Sequence, residues 1–191
     1  MKGIKTLHNT LKEKHILYTI LSKKDPEAYG KLYDLYIEKI YRFILFKVNN
    51  REEAEDLTSD VFLKVWNYLL GEKGKEVTSV SGLFYSVARN VVIDFYRQRA
   101  KKPTCSLDQV LELASDDGRE KEKKEAKQDI TALLKSLESL KQDYQEIILL
   151  RYIDELSIKE IAIIIGKSST NVRVLLHRAI KKLQELHEKK I

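Results

Sequence analysis

At 191 residues the chain has enough length for one or two domains with true cores, and 34% charged beside 43% apolar residues excludes a disordered chain. A single cysteine, Cys105, excludes an internal disulfide framework and a zinc site built on cysteines, and four scattered histidines show no metal-ligand spacing, so neither metal nor cofactor is expected. The net charge of +6 is modest, and no apolar run approaches the roughly 18 residues of a membrane span. The opening residues lack the apolar core of a signal peptide, so the chain is expected in the cytoplasm without membrane insertion. Two prolines, seven glycines and few alternating β-branched stretches point to an all-helical protein.

Residues 1–24 carry Leu7, Leu11, Leu17, Ile20 and Leu21 among lysines. They read as a helical extension without a legible role. Asp25 and Pro26 then set an N-cap and a first helical position. The helix they open has an aromatic stripe of Tyr29, Leu32, Tyr33, Tyr36, Ile40, Phe43, Ile44 and Phe46, whose plain reading is core packing. After Asn49-Asn50 a further helix puts Ala54, Leu57, Val61, Phe62, Val65 and Leu69 on its inner face. Its outer face is acidic, with Glu52, Glu53, Glu55, Asp56 and Asp60 inside nine residues and Arg51 as the lone cation. The helix dipole favours carboxylates in the first turn, but five exceed what capping uses. They would repel DNA, so this face meets solvent or a basic protein partner.

Gly71 to Ser81 reads as a loop. The helix after it has Leu83, Phe84, Val87, Val91 and Phe95 as inner positions. Tyr85, Arg89, Asn90, Tyr96, Arg97 and Arg99 are left for other faces, and aromatics interleaved with arginines suit a single-stranded nucleic acid. Buried tyrosines with a solvated basic face are the alternative. Residues 101–127 hold seven cations and seven anions with little apolar periodicity, the composition of a flexible linker. Ile130, Leu133, Leu134, Leu137 and Leu140 open a second domain, and Tyr144, Ile147, Ile148 and Tyr152 supply a helix on which the C-terminal helices can pack.

Ser157 and Glu160 form a capping box that starts a short helix with Ile158, Ile161, Ala162 and Ile165 on one face, and Gly166 is placed to close it in the left-handed conformation. Ser168 caps a second helix whose inner stripe is Val172, Leu176, Ala179 and Leu183. This is a helix-turn-helix pattern. Opposite the stripe stand Thr170, Val174, His177, Arg178 and Lys181, flanked by Asn171 and Arg173, short and polar first and basic later, as a recognition helix in a major groove requires. Residues 167–191 hold seven Lys/Arg against two Glu, whereas 129–166 hold four against seven Asp/Glu. The positive charge sits at the proposed DNA face.

In order, E-A-E-D-L-T-S-D-V-F-L-K-V-W, L-F-Y-S-V-A-R-N-V-V-I-D-F-Y-R and the stretch from Leu149 to Leu183 resemble the core-binding, melting and promoter-reading segments of a bacterial RNA polymerase sigma factor of the sigma-70 family, extracytoplasmic-function group. The resemblance runs from about Asp25 to Leu183, and three motifs in order around a linker make it specific. It implies two small helical domains, 25–100 like sigma region 2 and 128–191 like sigma region 4, joined by the linker and preceded by the extension. It further implies that Glu53, Asp56, Leu57, Asp60, Val61, Phe62 and Lys64 dock on the clamp helices of the polymerase's largest subunit, with the flap as a further core contact. Residues 70–81 would capture a base flipped from the minus-ten element. Tyr85, Arg89, Asn90, Tyr96, Arg97 and Arg99 would hold the opened strand, and Ser169, Thr170, Asn171, Arg173, His177, Arg178 and Lys181 would read promoter DNA at the minus-thirty-five element. Anti-sigma regulation is common in that group and adds a partner candidate. Two positions depart from the pattern: Leu83 replaces a usual tryptophan, and Lys167 a usual apolar residue in the turn. No glycine loop for phosphate, paired-carboxylate site or nucleophile triad is present, so the expected role is non-enzymatic. The rival reading is a stand-alone helix-turn-helix regulator.

Overall fold

A computed structural model describes residues 2–99 and 136–188, with side chains from Lys12 onward. The linker 101–127, Cys105, and Ile130, Leu133 and Leu134 lie outside the described residues, as do the side chains of Leu7 and Leu11. The helices are α1 (Lys2–Lys23), α2 (Pro26–Val48), α3 (Arg51–Leu70), α4 (Val80–Arg99), α5 (Gln142–Ile148), α6 (Ile158–Ile165) and α7 (Ser169–Glu188). There is no strand among the described residues, and the fold is all-α. The chain divides into two compact units, Met1–Ile44 with Asn50–Lys101 and Leu45–Asn49 with Lys102–Ile191.

In the first unit, capping sets the helix starts. The Asp25 carboxylate accepts from the Glu27 and Ala28 amides at 2.9 and 3.3 Å, and the Asn50 side chain accepts from the Glu53 amide at 2.9 Å. These bonds satisfy donors that an open helix end would leave bare. The helices then close on an aromatic cluster centred on Phe84. Its ring stacks on Tyr36 of α2 at 4.7 Å and meets Phe62 of α3 at 5.0 Å, and Phe62 in turn meets Tyr33 at 4.7 Å. Such ring pairs contribute about 0.5–1.5 kcal/mol each beyond the area they bury. Tyr29 extends the cluster by lying 4.8 Å from Trp66 and donating its hydroxyl to the Phe62 carbonyl. Every inner position expected on α3 is buried.

Two expectations change here. The segment from Gly71 to Ser81 is not plain loop: Glu72–Glu76 winds into a 3₁₀ turn, and α4 begins at Val80, where the Ser79 hydroxyl accepts from the Gly82 amide at 3.0 Å. On α4, Tyr85 and Tyr96 face inward with 0% and 8% exposure, while Leu83 and Phe95 are only half-buried. Helix α4 packs against both α3 and α1, so its buried surface is wider than a single stripe.

In the second unit α7 packs on α5 and α6 over Ile147, Leu150, Ile161, Ile164, Val172 and Ala179. The helix-turn-helix obeys its capping chemistry. The Ser157 hydroxyl accepts from the Glu160 amide and the Glu160 carboxylate from the Ser157 amide, at 3.3 and 2.8 Å. Gly166 closes α6 at φ 65, and the Lys167 amide donates back to Ala162 at 3.0 Å. The Ser168 hydroxyl then accepts from the Asn171 amide at 3.2 Å and opens α7. On α6, Ile164 is buried and Ile165 half-buried, one position round from the expected stripe. A π-helical turn, Leu149–Ile153, continues from α5 and carries Tyr152 to the surface with 56% exposure, against the packing role expected of it.

Candidate nucleic-acid and partner interfaces

The acidic face of α3 is open to solvent. Glu52, Glu55, Asp56 and Asp60 are exposed, and so is Lys64. Leu57, Val61 and Phe62 are core residues with 9%, 0% and 5% exposure, which corrects their place among the contact candidates: they hold the helix and cannot reach a partner. Leu63, missed in sequence, is 60% exposed beside Asp60 and Lys64. Its spacing three residues beyond Asp60 was the available signal. Glu53 is spoken for as well, since it pairs with Arg99 from the end of α4.

That pair divides the strand-binding candidates. At about 100° per residue, Arg89, Asn90 and Arg97 share one arc of α4, and Arg99 lies far round the helix from Asn90 and Arg97. Asn90 and Arg97 are exposed and Arg89 half-buried; Arg97 pairs with Asp94 at 2.9 Å. Arg99 instead folds toward α3, its guanidinium 4.5 Å from the Phe95 ring centre. Tyr85 and Tyr96, buried, cannot stack on bases. Ile93, 46% exposed, completes the outer arc. Just before α4, the turn at Gly74 is packed so closely that a Cβ there would stand 2.3 Å from the Leu69 carbonyl oxygen.

In the second unit the face of α7 opposite Val172 and Ala179 is exposed at Thr170, Asn171, Arg173, Val174, His177, Arg178 and Lys181, with Ser169 half-buried at the start. The seven exposed side chains occupy about 160° of the helix and include three cations and no carboxylate. Lys182, off that arc, pairs with Glu185 at 3.0 Å. Lys167 points to solvent in the turn, so its charge fits where an apolar residue is usual. No group of three or more metal-ligating side chains occurs among the described residues, and none of their helices is long and apolar enough to cross a membrane.

Two regional models of one family match in the order of these surfaces: Sigma-70 region 2 over residues 32–102 and Sigma-70, region 4 over residues 130–183. The chain belongs to the sigma-70 family. It is similar to the ECF RNA polymerase sigma factor BldN of Streptomyces coelicolor, 27% identical over 162 residues that cover 85% of this chain and 61% of BldN. It is also similar to ECF sigma factor SigM and to sigma factor YlaC of Bacillus subtilis, 28% and 29% identical, covering 94% and 93% of those proteins and 83% and 85% of this chain. Two solved structures share the fold: CnrH in complex with the cytosolic domain of CnrY, TM-score 0.64 at 18% identity over 94% of this chain and 99% of that one, and RpoE of Bartonella quintana in complex with the anti-sigma factor NepR, TM-score 0.57 at 22% identity over 84% and 96%. The chain is an RNA polymerase sigma factor of the extracytoplasmic-function group, a transcription initiation factor that binds polymerase core and promoter DNA. The stand-alone regulator is not favoured, because the region 2 match covers the half such a regulator has no use for.

Proposed function

We propose a division of labour in which the acidic outer face of α3 grips the polymerase and the cationic face of α7 reads promoter DNA. The single observation that carries it is the separation of exposed charge: Glu52, Glu55, Asp56 and Asp60 on one unit, Arg173, Arg178 and Lys181 on the other. Like charges repel DNA and opposite charges hold its phosphates, so the two surfaces have different partners. In this reading Asp56, Asp60 and Lys64, joined by Leu63, meet the clamp helices of the largest subunit. Arg89, Asn90 and Arg97 hold the opened non-template strand, and residues 70–81 capture an unstacked base. Thr170, Asn171, Arg173 and His177 approach base edges at the minus-thirty-five element, where phosphate contacts set register and base contacts choose the site.

Residues 25–100 and 128–191 act as the two working domains, with 101–127 as the tether between them. The protein performs no catalysis of its own and works in the cytoplasm with the polymerase. An inhibitory partner of the anti-sigma kind, with which RpoE was solved, is also proposed for this chain. Run-off transcription with purified polymerase core tests the reading: initiation from a specific promoter only when the chain is added supports it. Duplex binding by the chain without polymerase association rejects it.

A further inference from the structure

Helix α1 takes no part in the surfaces described above, yet its outer half is unusually uniform. Ile16, Leu17 and Ile20 face the core, and Glu13 turns the same way to accept the Tyr36 hydroxyl at 3.1 Å. The opposite half carries Lys14, His15 and Tyr18, all exposed, with exposed Lys12 at its edge. The Thr19 and Ser22 hydroxyls donate back to the His15 and Tyr18 carbonyls at 3.0 and 2.8 Å, so the helix itself uses them. No acidic side chain stands on this half from Lys12 to Lys23, and among the described residues no carboxylate pairs with its lysines. Tyr18 has 70% exposure, the highest of the exposed large apolar and aromatic side chains among the described residues. Lys14 stands one turn before it on the same side.

We propose that this face of α1 is a contact for single-stranded nucleic acid, with the lysines on phosphates and the Tyr18 ring on an unpaired base. The charge calls for a polyanion. A duplex keeps its base faces stacked and gives the ring nothing to meet; an opened strand uses both the charge and the ring. Helix α1 packs on α3 and α4 within one unit, so strand bound along it would be held by the same compact unit as strand bound to α4. The inference rests on the chain's part in promoter opening and not on which α4 residues hold the strand.

The test uses the full chain with polymerase core on its promoter and follows open-complex lifetime against salt. Wild-type initiation is scored first; without it, the sigma-factor reading itself fails and the variants are not compared. Tyr18→Ala shortens the lifetime by about 5- to 150-fold, the equivalent of one base–aromatic stack, and Tyr18→Phe keeps it near wild type. Lys14→Gln lowers the slope of log lifetime against log salt by about 0.7, one single-strand phosphate contact. Lifetimes and slopes equal to wild type in Tyr18→Ala and Lys14→Gln overturn the proposal. So does a Tyr18→Phe loss as large as the alanine's, or a fall in core affinity in place of lifetime.

Discussion

Replacing Gly74 by alanine puts a methyl group where the chain has no room. Gly74 is buried in the 3₁₀ turn, its amide donates to the Gly71 carbonyl at 3.1 Å, and the Val77 amide returns to its own carbonyl at 3.2 Å. A Cβ there would lie 2.3 Å from the Leu69 oxygen and 2.9 Å from the Leu69 carbonyl carbon and Cα. All three atoms are backbone at the end of α3, so no side chain can swing away. The turn must therefore move by about 1 Å to reach ordinary contact, and overpacking of this kind costs about 1–3 kcal/mol. In a domain of fewer than a hundred residues each kcal/mol lowers Tm by about 4–8 °C. Because the displaced turn is the one proposed to take the flipped base, opening of a duplex promoter should suffer more than initiation on a template already opened. Gly30→Ala is the matched control: nothing lies within 4 Å of its Cβ, it sits inside α2, and alanine there should stabilise by about 0.5–1 kcal/mol. Calorimetry with transcription on both templates checks the pair. A Gly74→Ala protein that melts and opens duplex promoter like wild type refutes the reasoning.

Asp60→Lys should weaken core binding, measured by fluorescence anisotropy, and leave Tm unchanged, since Asp60 is exposed and contributes no packing; unchanged core affinity would remove α3 from the docking surface. Arg173→Ala should cost about 1–3 kcal/mol at one promoter base pair and relax preference there, and a uniform loss across sequences would make it a phosphate contact. Burial raises the Tyr29 phenol far above its ordinary value of 10.0, against a smaller opposing hydrogen bond at Trp66. The unfolded chain then loses this proton first, so stability present below pH 10.0 should decline as pH rises beyond it. Chemical denaturation across that range compares wild type with Tyr29→Phe, whose decline should be shallower; equal declines would place the dependence on other groups.

Local chemistry made much of this protein readable from its sequence. Asp25 before Pro26, the Ser157 and Glu160 box, Gly166 and Ser168 act through bonds spanning two to five residues, so the helix-turn-helix and the helix starts needed no tertiary information. The exposed face of α7 came with them, because a helix packed on one side leaves its other side determined by a 3.6-residue period. Helix α4 behaved differently. Packed on more than one side, it drew Tyr85 and Tyr96 inward, and a tyrosine ring suits both core and surface, so periodicity could not choose. Nor could it announce that Arg99 would reach Glu53, 46 residues earlier, taking one candidate from each proposed interface at once. The π turn at Leu149–Ile153 likewise breaks the period that would have buried Tyr152. Backbone caps are settled by neighbours along the chain; which polar or aromatic side chain stays free for a partner is settled only when distant helices meet.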